Sequence, residues 1–216
     1  MGMKQILVMM AAVVLVGCSN ETPETSQAAE SEPQVAPKPT PEPTPEPTPE
    51  PTPVSPADEK LIADPIVERV VRNKFKKPEG ELTEADLESV RSLSLSETQI
   101  TDEGLKDVAN LQKLTSLYLI DTKITDAGLK EVAKLQKLEA LILANTQITD
   151  VGLKEVAKLQ KLEGLDLTNT QITDAGLKEV AKLQQLTRLD FMHTKITDEG
   201  VAELKKALPN CEIEGP

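Results

Sequence analysis

The chain predicts an α/β solenoid: a right-handed coil with a parallel concave sheet, helices on its convex back, and a helical cap at the N-terminal end. Three observations predict it. Stepping by 24 residues from Leu114 gives Leu138, Leu162 and Leu186, and from Leu117 gives Leu141, Leu165 and Leu189. The same step links Ile100, Ile124, Ile148, Ile172 and Ile196, and also Gly104, Gly128, Gly152, Gly176 and Gly200. Within one period, Leu141-Ile142-Leu143 alternates as a short strand with its leucines inward, while Leu153, Val156 and Leu159 recur at helical spacing. A unit this short cannot bury its apolar side alone, so each copy must stack on its neighbours. Strand-helix-strand crossovers favour the right hand. Helices are wider than strands, which places the sheet on the concave side.

The elements follow in chain order. Residues 1–17 place Lys4 before an apolar run from Ile6 to Val16, the order of a secretory signal and too short for a stable membrane span. The run ends Leu15-Val16-Gly17-Cys18. This resembles the bacterial lipobox, in which cleavage precedes the cysteine and Cys18 becomes lipidated; an ordinary signal with a stray cysteine is the alternative. Several acyl chains, at roughly 0.8 kcal/mol per buried CH₂, would hold such a protein firmly. Ser19, where an aspartate is absent, implies by the same resemblance sorting to the outer membrane.

Residues 18–60 open with Cys18 and continue as a linker with almost no large apolar side chains, in which Pro37 to Pro53 reads PKPTPEPTPEPTPEPTP. Such a segment cannot offset its ordering entropy by burial. It is expected to be an extended polyproline spacer with a reach on the order of 50 Å or more. Its PxxP spacing also fits an SH3-type ligand, for which a bacterial envelope gives little reason. The net charge of −12 is uneven. Residues 19–60 hold nine acids and two lysines, and residues 61–216 hold 27 acids against 21 bases. No basic cluster of the kind that marks nucleic-acid binding stands out. With Cys18 lipidated, Cys211 has no partner for an internal disulfide, so stability must come from the stacked core.

Residues 61–89 read as an N-terminal cap. DPIVERVVRNKF places Ile66, Val67, Val70, Val71 and Phe75 on one helical face. LTEADLESV then forms a shortened copy of the later ITDxGLxxV. Residues 90–216 hold five repeats and a C-terminal cap. In that cap LPNCEIEGP slips the period by one, so Cys211 falls where Leu186 falls one repeat earlier. A small buried apolar role is its default, with a reactive thiol as the lesser reading.

The full pattern, LxxLxLxxTxITDxGLxxVAxLQx, closely resembles the leucine-rich repeat, in the subclass whose second half reads ITDxGL. The resemblance covers roughly residues 90–211, and the stretch before it resembles the cap of many bacterial leucine-rich-repeat proteins. It implies a non-enzymatic interaction module. That subclass often carries Asn or Cys where this chain has Thr98, Thr122, Thr146, Thr170 and Thr194; their buried hydroxyls are expected to bond backbone groups of the adjoining turn. Asp102, Asp126, Asp150, Asp174 and Asp198 precede each helix and are expected to be its N-caps. The fixed glycine suggests a close backbone approach.

Residues between the inward leucines should line the concave groove. The middle row is Ser94, Tyr118, Ile142, Asp166 and Asp190; the row after it includes Ile120 and Met192, and the row before it ends in Arg188. Tyr118, Ile120 and Ile142 form an apolar patch, and Asp166, Asp190, Arg188 and His193 a polar one. Clustered apolar groups suggest a contact site, against the plainer reading of a shallow face that tolerates them. His193 beside Asp190 or Asp166 has no Ser or Cys nucleophile, which argues against catalysis. Asp166, Asp190 and Asn169 could hold calcium, but flat strands converge poorly on one centre. Lys130, Lys154 and Lys178 on the convex face, with Lys134, Lys158 and Lys182 beside Glu131, Glu155 and Glu179, read as a solvated face that could attract anionic glycan or lipid phosphates.

The sequence therefore points to a lipid-anchored, monomeric module of the cell envelope that binds an unidentified protein without a cofactor. The alternatives are an envelope glycan or lipopolysaccharide binder, and a passive spacer. Carbohydrate sites favour aromatic platforms. This chain has no Trp and only Phe75, Phe191 and Tyr118, of which Tyr118 alone is expected to be exposed.

Overall fold

The computed structural model describes residues 60–215. The signal segment, Cys18 and the proline-rich stretch lie outside these residues. Six short strands form one parallel sheet in sequence order: β1 (Ser92–Ser94), β2 (Ser116–Tyr118), β3 (Ala140–Ile142), β4 (Gly164–Asp166), β5 (Arg188–Asp190) and β6 (Glu212–Glu214). Every register step is 24 residues, as in Leu117↔Leu141 and Leu165↔Leu189. Behind the sheet stand α3 (Leu105–Val108), α4 (Asp126–Val132), α5 (Asp150–Val156), α6 (Asp174–Val180) and α7 (Asp198–Ala207). The cap supplies α1 (Pro65–Phe75) and α2 (Glu84–Ser89).

The strands sit one residue earlier than the apolar alternation suggests, at 140–142 in place of 141–143. Leu141 and Leu143 nonetheless both point inward and are fully buried. The helices are shorter than the leucine spacing implies. Leu159 is buried but lies in the turn beyond α5, which ends at Val156. That turn is closed by a side chain. Gln136 and Gln160 donate through Nε2 to the carbonyls of Ala133 and Ala157 at 2.6 Å, and Gln184 to that of Ala181 at 2.7 Å. Each bond satisfies a carbonyl that has no partner within its own helix.

The leucines, isoleucines and valines of all repeats make one continuous core. At the N-terminal end Val67 and Val71 of α1 are fully buried, with Ile66, Val70 and Phe75 packed on the same cluster. Asp64 caps α1, accepting from the Ile66 and Val67 amides at 2.8 and 3.0 Å. Thr83 and Asp86 form a reciprocal capping box at α2. Hydrogen bonds from Lys77 and Thr83 hold the Asp86 carboxyl at about 2. At the other end Cys211 donates its amide to Leu208 at 3.2 Å, as Leu186 does to Leu183 at 3.0 Å. The one-residue slip is therefore real, and it closes again by Glu212, which pairs with Arg188 in the regular register. Cys211 packs partly on the core, and burial, then Asp190 and Glu212, push its thiol upward. A raised thiol is poor in thiolate, so the packing role outweighs the reactive one.

The aspartate row corrects the sequence expectation. Helices α4 to α7 are capped by Thr125, Thr149, Thr173 and Thr197, with Asp126, Asp150, Asp174 and Asp198 as their first helical residues, while Asp102 lies in the turn before α3. The carboxylates reach forward into the next repeat. Asp126 accepts the Thr149 amide at 2.8 Å through Oδ1 and its hydroxyl at 2.6 Å through Oδ2. Asp102, Asp150 and Asp174 do the same to Thr125, Thr173 and Thr197. The Thr149 hydroxyl in turn accepts the Val151 amide at 3.3 Å. The aspartate therefore clamps two repeats together and fixes the rotor of the next cap.

The repeating glycine belongs to this clamp. A Cβ on Gly152 would come closer than 3.0 Å to Asp126 Oδ1 and to the Leu129 Cδ1 methyl. Gly128, Gly176 and Gly200 face Asp102, Asp150 and Asp174 in the same way, and Gly104 faces Asp64, which stands in for an aspartate of a preceding repeat. The motif TDxG is thus one device: a cap, a clamp, and the clearance that the previous clamp needs. The second threonine row is local. Thr122, Thr146 and Thr170 are buried and donate to the carbonyls of Leu119, Leu143 and Leu167, each three residues back in the same repeat. They form a ladder of like bonds and do not link repeats.

Candidate functional site

The inward leucines leave the intervening side chains on the open face of the sheet. Register pairing sets Ser94, Tyr118, Ile142, Asp166, Asp190 and Glu214 side by side in one row. A parallel row holds Ser92, Ser116, Ala140, Gly164, Arg188 and Glu212. Neighbouring strands lie about 4.8 Å apart, so Tyr118 and Ile142 are immediate neighbours. A Cβ on Gly164 would meet nothing within 4 Å. Ser116, Ala140 and Gly164 therefore make a shallow trough where an incoming group can approach the backbone.

Ser94 and Arg188 are exposed, as are His193 and Met192, the latter at 45%. Tyr118, Ile120, Ile142, Asp166 and Asp190 are half-buried. The expectation of an openly exposed Tyr118 is corrected accordingly: Ser94 and Ile142 flank it at close strand spacing and shield its sides. Asp166 accepts the Thr168 amide at 2.8 Å. Asp190 accepts from Arg188 Nε at 3.1 Å, and Arg188 Nη2 lies 3.6 Å from Glu214 Oε1. Asp190, then Glu214 and Glu212, raise the Arg188 pKa further. The row is thus apolar toward the N-terminal end and acidic toward the C-terminal end, with Arg188 as its counterion. Glu212 and Glu214 were not among the candidates from sequence, because the period slip at Cys211 hides their register.

His193 lies off these rows. It occupies a left-handed turn with φ 57°, as do Glu97, Asp121, Asn145 and Asn169 at the same place in their repeats. Asp, Asn and His tolerate this region better than most residues, a signal that was legible at 24-residue spacing. Asn169 donates to Asn145 Oδ1 at 2.7 Å, a bond along the turn ladder. Among the described residues no three acidic, His or Cys side chains gather closely enough to hold a metal ion. On the convex side Glu131, Glu155 and Glu179 pair with Lys134, Lys158 and Lys182 at 2.5–2.6 Å. A groove between α6 and α7, floored by Leu177, Ala181 and Leu204, carries no nucleophile beside a base.

The fold and this open face define a repeat solenoid with an extended parallel sheet. Family models described as Leucine Rich repeat match residues 87–109, 110–133 and 182–205, and one described as Leucine Rich repeats (2 copies) matches 136–179. The repeats are leucine-rich repeats, and the described part of the chain is a leucine-rich-repeat solenoid. Such folds typically serve as non-enzymatic modules for protein–protein interaction. Among solved structures, the chain is similar to internalin C2 from Listeria monocytogenes, at 26% identity and a TM-score of 0.41, covering 71% of this chain and 83% of that one. It is also similar to a leucine-rich-repeat protein of Leptospira interrogans, at 33% identity and a TM-score of 0.48, covering 62% of this chain. The chain spans about a third of that protein's length, 34%. No curated protein matches it.

Proposed function

We propose that the protein is a non-enzymatic, lipid-anchored module of the bacterial envelope that recognises a protein partner through its concave face. The observation that carries this reading is a contrast inside the chain. Leucine, threonine, aspartate and glycine positions recur almost unchanged, while the middle concave row runs Ser94, Tyr118, Ile142, Asp166, Asp190, Glu214. Tyr118 and Ile142 supply an apolar anchor next to the small-residue trough, and the acids beyond favour a partner with basic groups at that end. The scarcity of aromatics weighs against a glycan platform.

Replacing Tyr118 and Ile142 together with Ser should abolish capture of the partner. Because both are half-buried, the pair should also cost about 1–2 kcal/mol of stability, so capture is measured well below the melting midpoint. Changing Lys130, Lys154 and Lys178 to Gln should leave capture intact. Loss of capture through the lysines, with strong salt dependence, would favour the glycan or lipopolysaccharide reading. No capture by the unmodified protein would favour the passive spacer.

The anchor rests on Leu15-Val16-Gly17-Cys18. Among the described residues no helix is long and apolar enough to cross a membrane. Cys18→Ser should abolish lipid attachment and release or misprocess the protein, read by labelling with a fatty-acid probe and by fractionation. Unchanged labelling and fractionation would rule the anchor out. Outer-membrane placement follows from Ser19 within the same reading.

A further inference from the structure

Lys113, Lys137 and Lys161 occupy one repeat position, directly before the buried Leu114, Leu138 and Leu162. The 24-residue register therefore aligns them along one rim of the solenoid, each about one strand spacing, roughly 5 Å, from the next. Gln185 ends the row. Lys137 and Lys161 are exposed and Lys113 is half-buried.

These lysines differ from those on the helices. Lys134, Lys158 and Lys182 each pair with a glutamate. Among the described residues Lys113, Lys137 and Lys161 enter no ion pair. They face one another. The neighbouring Lys113 is the main cause that lowers the Lys137 pKa, followed by desolvation, Lys161 and Arg91. Stacked like charges are unfavourable when alone, and an anion that bridges them removes the cost.

The surroundings narrow the kind of anion. Glu139 and Glu163 are exposed two residues beyond Lys137 and Lys161, and Glu131 and Glu155 stand on the helices behind. The unpaired lysines therefore form a line with the exposed acids Glu139 and Glu163 along one flank, while the glutamates behind are taken up by Lys134 and Lys158. A flat anionic surface would meet those acids together with the lysines, whereas a single extended chain would follow the lysines alone. We propose that the rim formed by Lys113, Lys137 and Lys161 binds a linear polyanion bearing closely spaced phosphates. This surface is separate from the concave face, and its function does not depend on what that face binds.

The test is binding of short-chain inorganic polyphosphate to the full chain by calorimetry over a range of salt. The logarithm of affinity should fall against the logarithm of salt with a slope of about 2, as expected for about three neutralised phosphates on a single-stranded polyanion. The triple change Lys113→Gln, Lys137→Gln, Lys161→Gln should weaken binding by about tenfold or more. Its melting temperature should stay equal or rise, since repulsion is relieved. The triple change at Lys130, Lys154 and Lys178 should leave binding unaltered. Absence of salt-dependent binding would overturn the proposal. So would equal losses in the two triples, or a preference for vesicles of anionic phospholipid over polyphosphate.

Discussion

Leu143→Ala is expected to destabilise the solenoid by about 2–5 kcal/mol, whereas Ser94→Ala should change stability by less than about 0.5 kcal/mol. Leu143 is fully buried at the centre of the stack, so truncation loses transfer free energy and leaves a cavity between repeats that cannot collapse independently. Ser94 projects from the exposed face of β1. In a solenoid each repeat rests only on its neighbours, so a central cavity weakens both adjoining interfaces. Urea denaturation with equal m-values checks this. Coincident midpoints for the two variants would mean the strand facing is wrong.

The second large effect lies in the clamp. Asp126→Ala removes two charge-assisted bonds to Thr149, a loss of about 1.5–3 kcal/mol. Gly152→Ala alone should also destabilise. The intrinsic helix preference for alanine is worth about 1 kcal/mol, but the new methyl collides with a carboxylate held by two hydrogen bonds, which costs about 1–3 kcal/mol. The informative variant combines the two changes. With the carboxylate gone the nearest clash is removed, and the Leu129 methyl, the next closest group, is the end of a side chain that can rotate away. The Gly152→Ala penalty should then shrink or change sign, giving a coupling energy of about 1 kcal/mol or more in a double-mutant cycle. Strict additivity would show that Gly152 is not there to clear Asp126.

How much of this was legible depends on how local each cause is. Burial of Leu117, Leu141 and Leu165 follows from side-chain chemistry at a constant period, and that is written in the chain. So is the apolar face of α1, with Val67 and Val71 inward. The aspartate clamp was missed because capping and clamping call for the same residue before the same helix. The acceptor of the capping bond is local, but the donor to the carboxylate is 23 residues away, as for Asp126 and Thr149. The accompanying signal was the invariant Thr directly before each Asp, which is itself a good cap. The turn row Glu97, Asp121, Asn145, Asn169 and His193 was equally readable from its residue types, yet the sequence reading grouped His193 with the polar patch of the groove. Which side chains face the groove was legible from alternation. Their half-burial was not, since the shielding of Tyr118 comes from strands on either side of its own.

The most direct test of concave recognition places a photo-activatable cross-linker at Tyr118 in one variant and at Lys154 in another, in the intact anchored protein in cells. The account predicts one discrete adduct from position 118, lost when Ile142 is also changed to Ser, and none of the same mass from position 154. The same adduct from position 154 with nothing from 118 would contradict it and move recognition to the helical face.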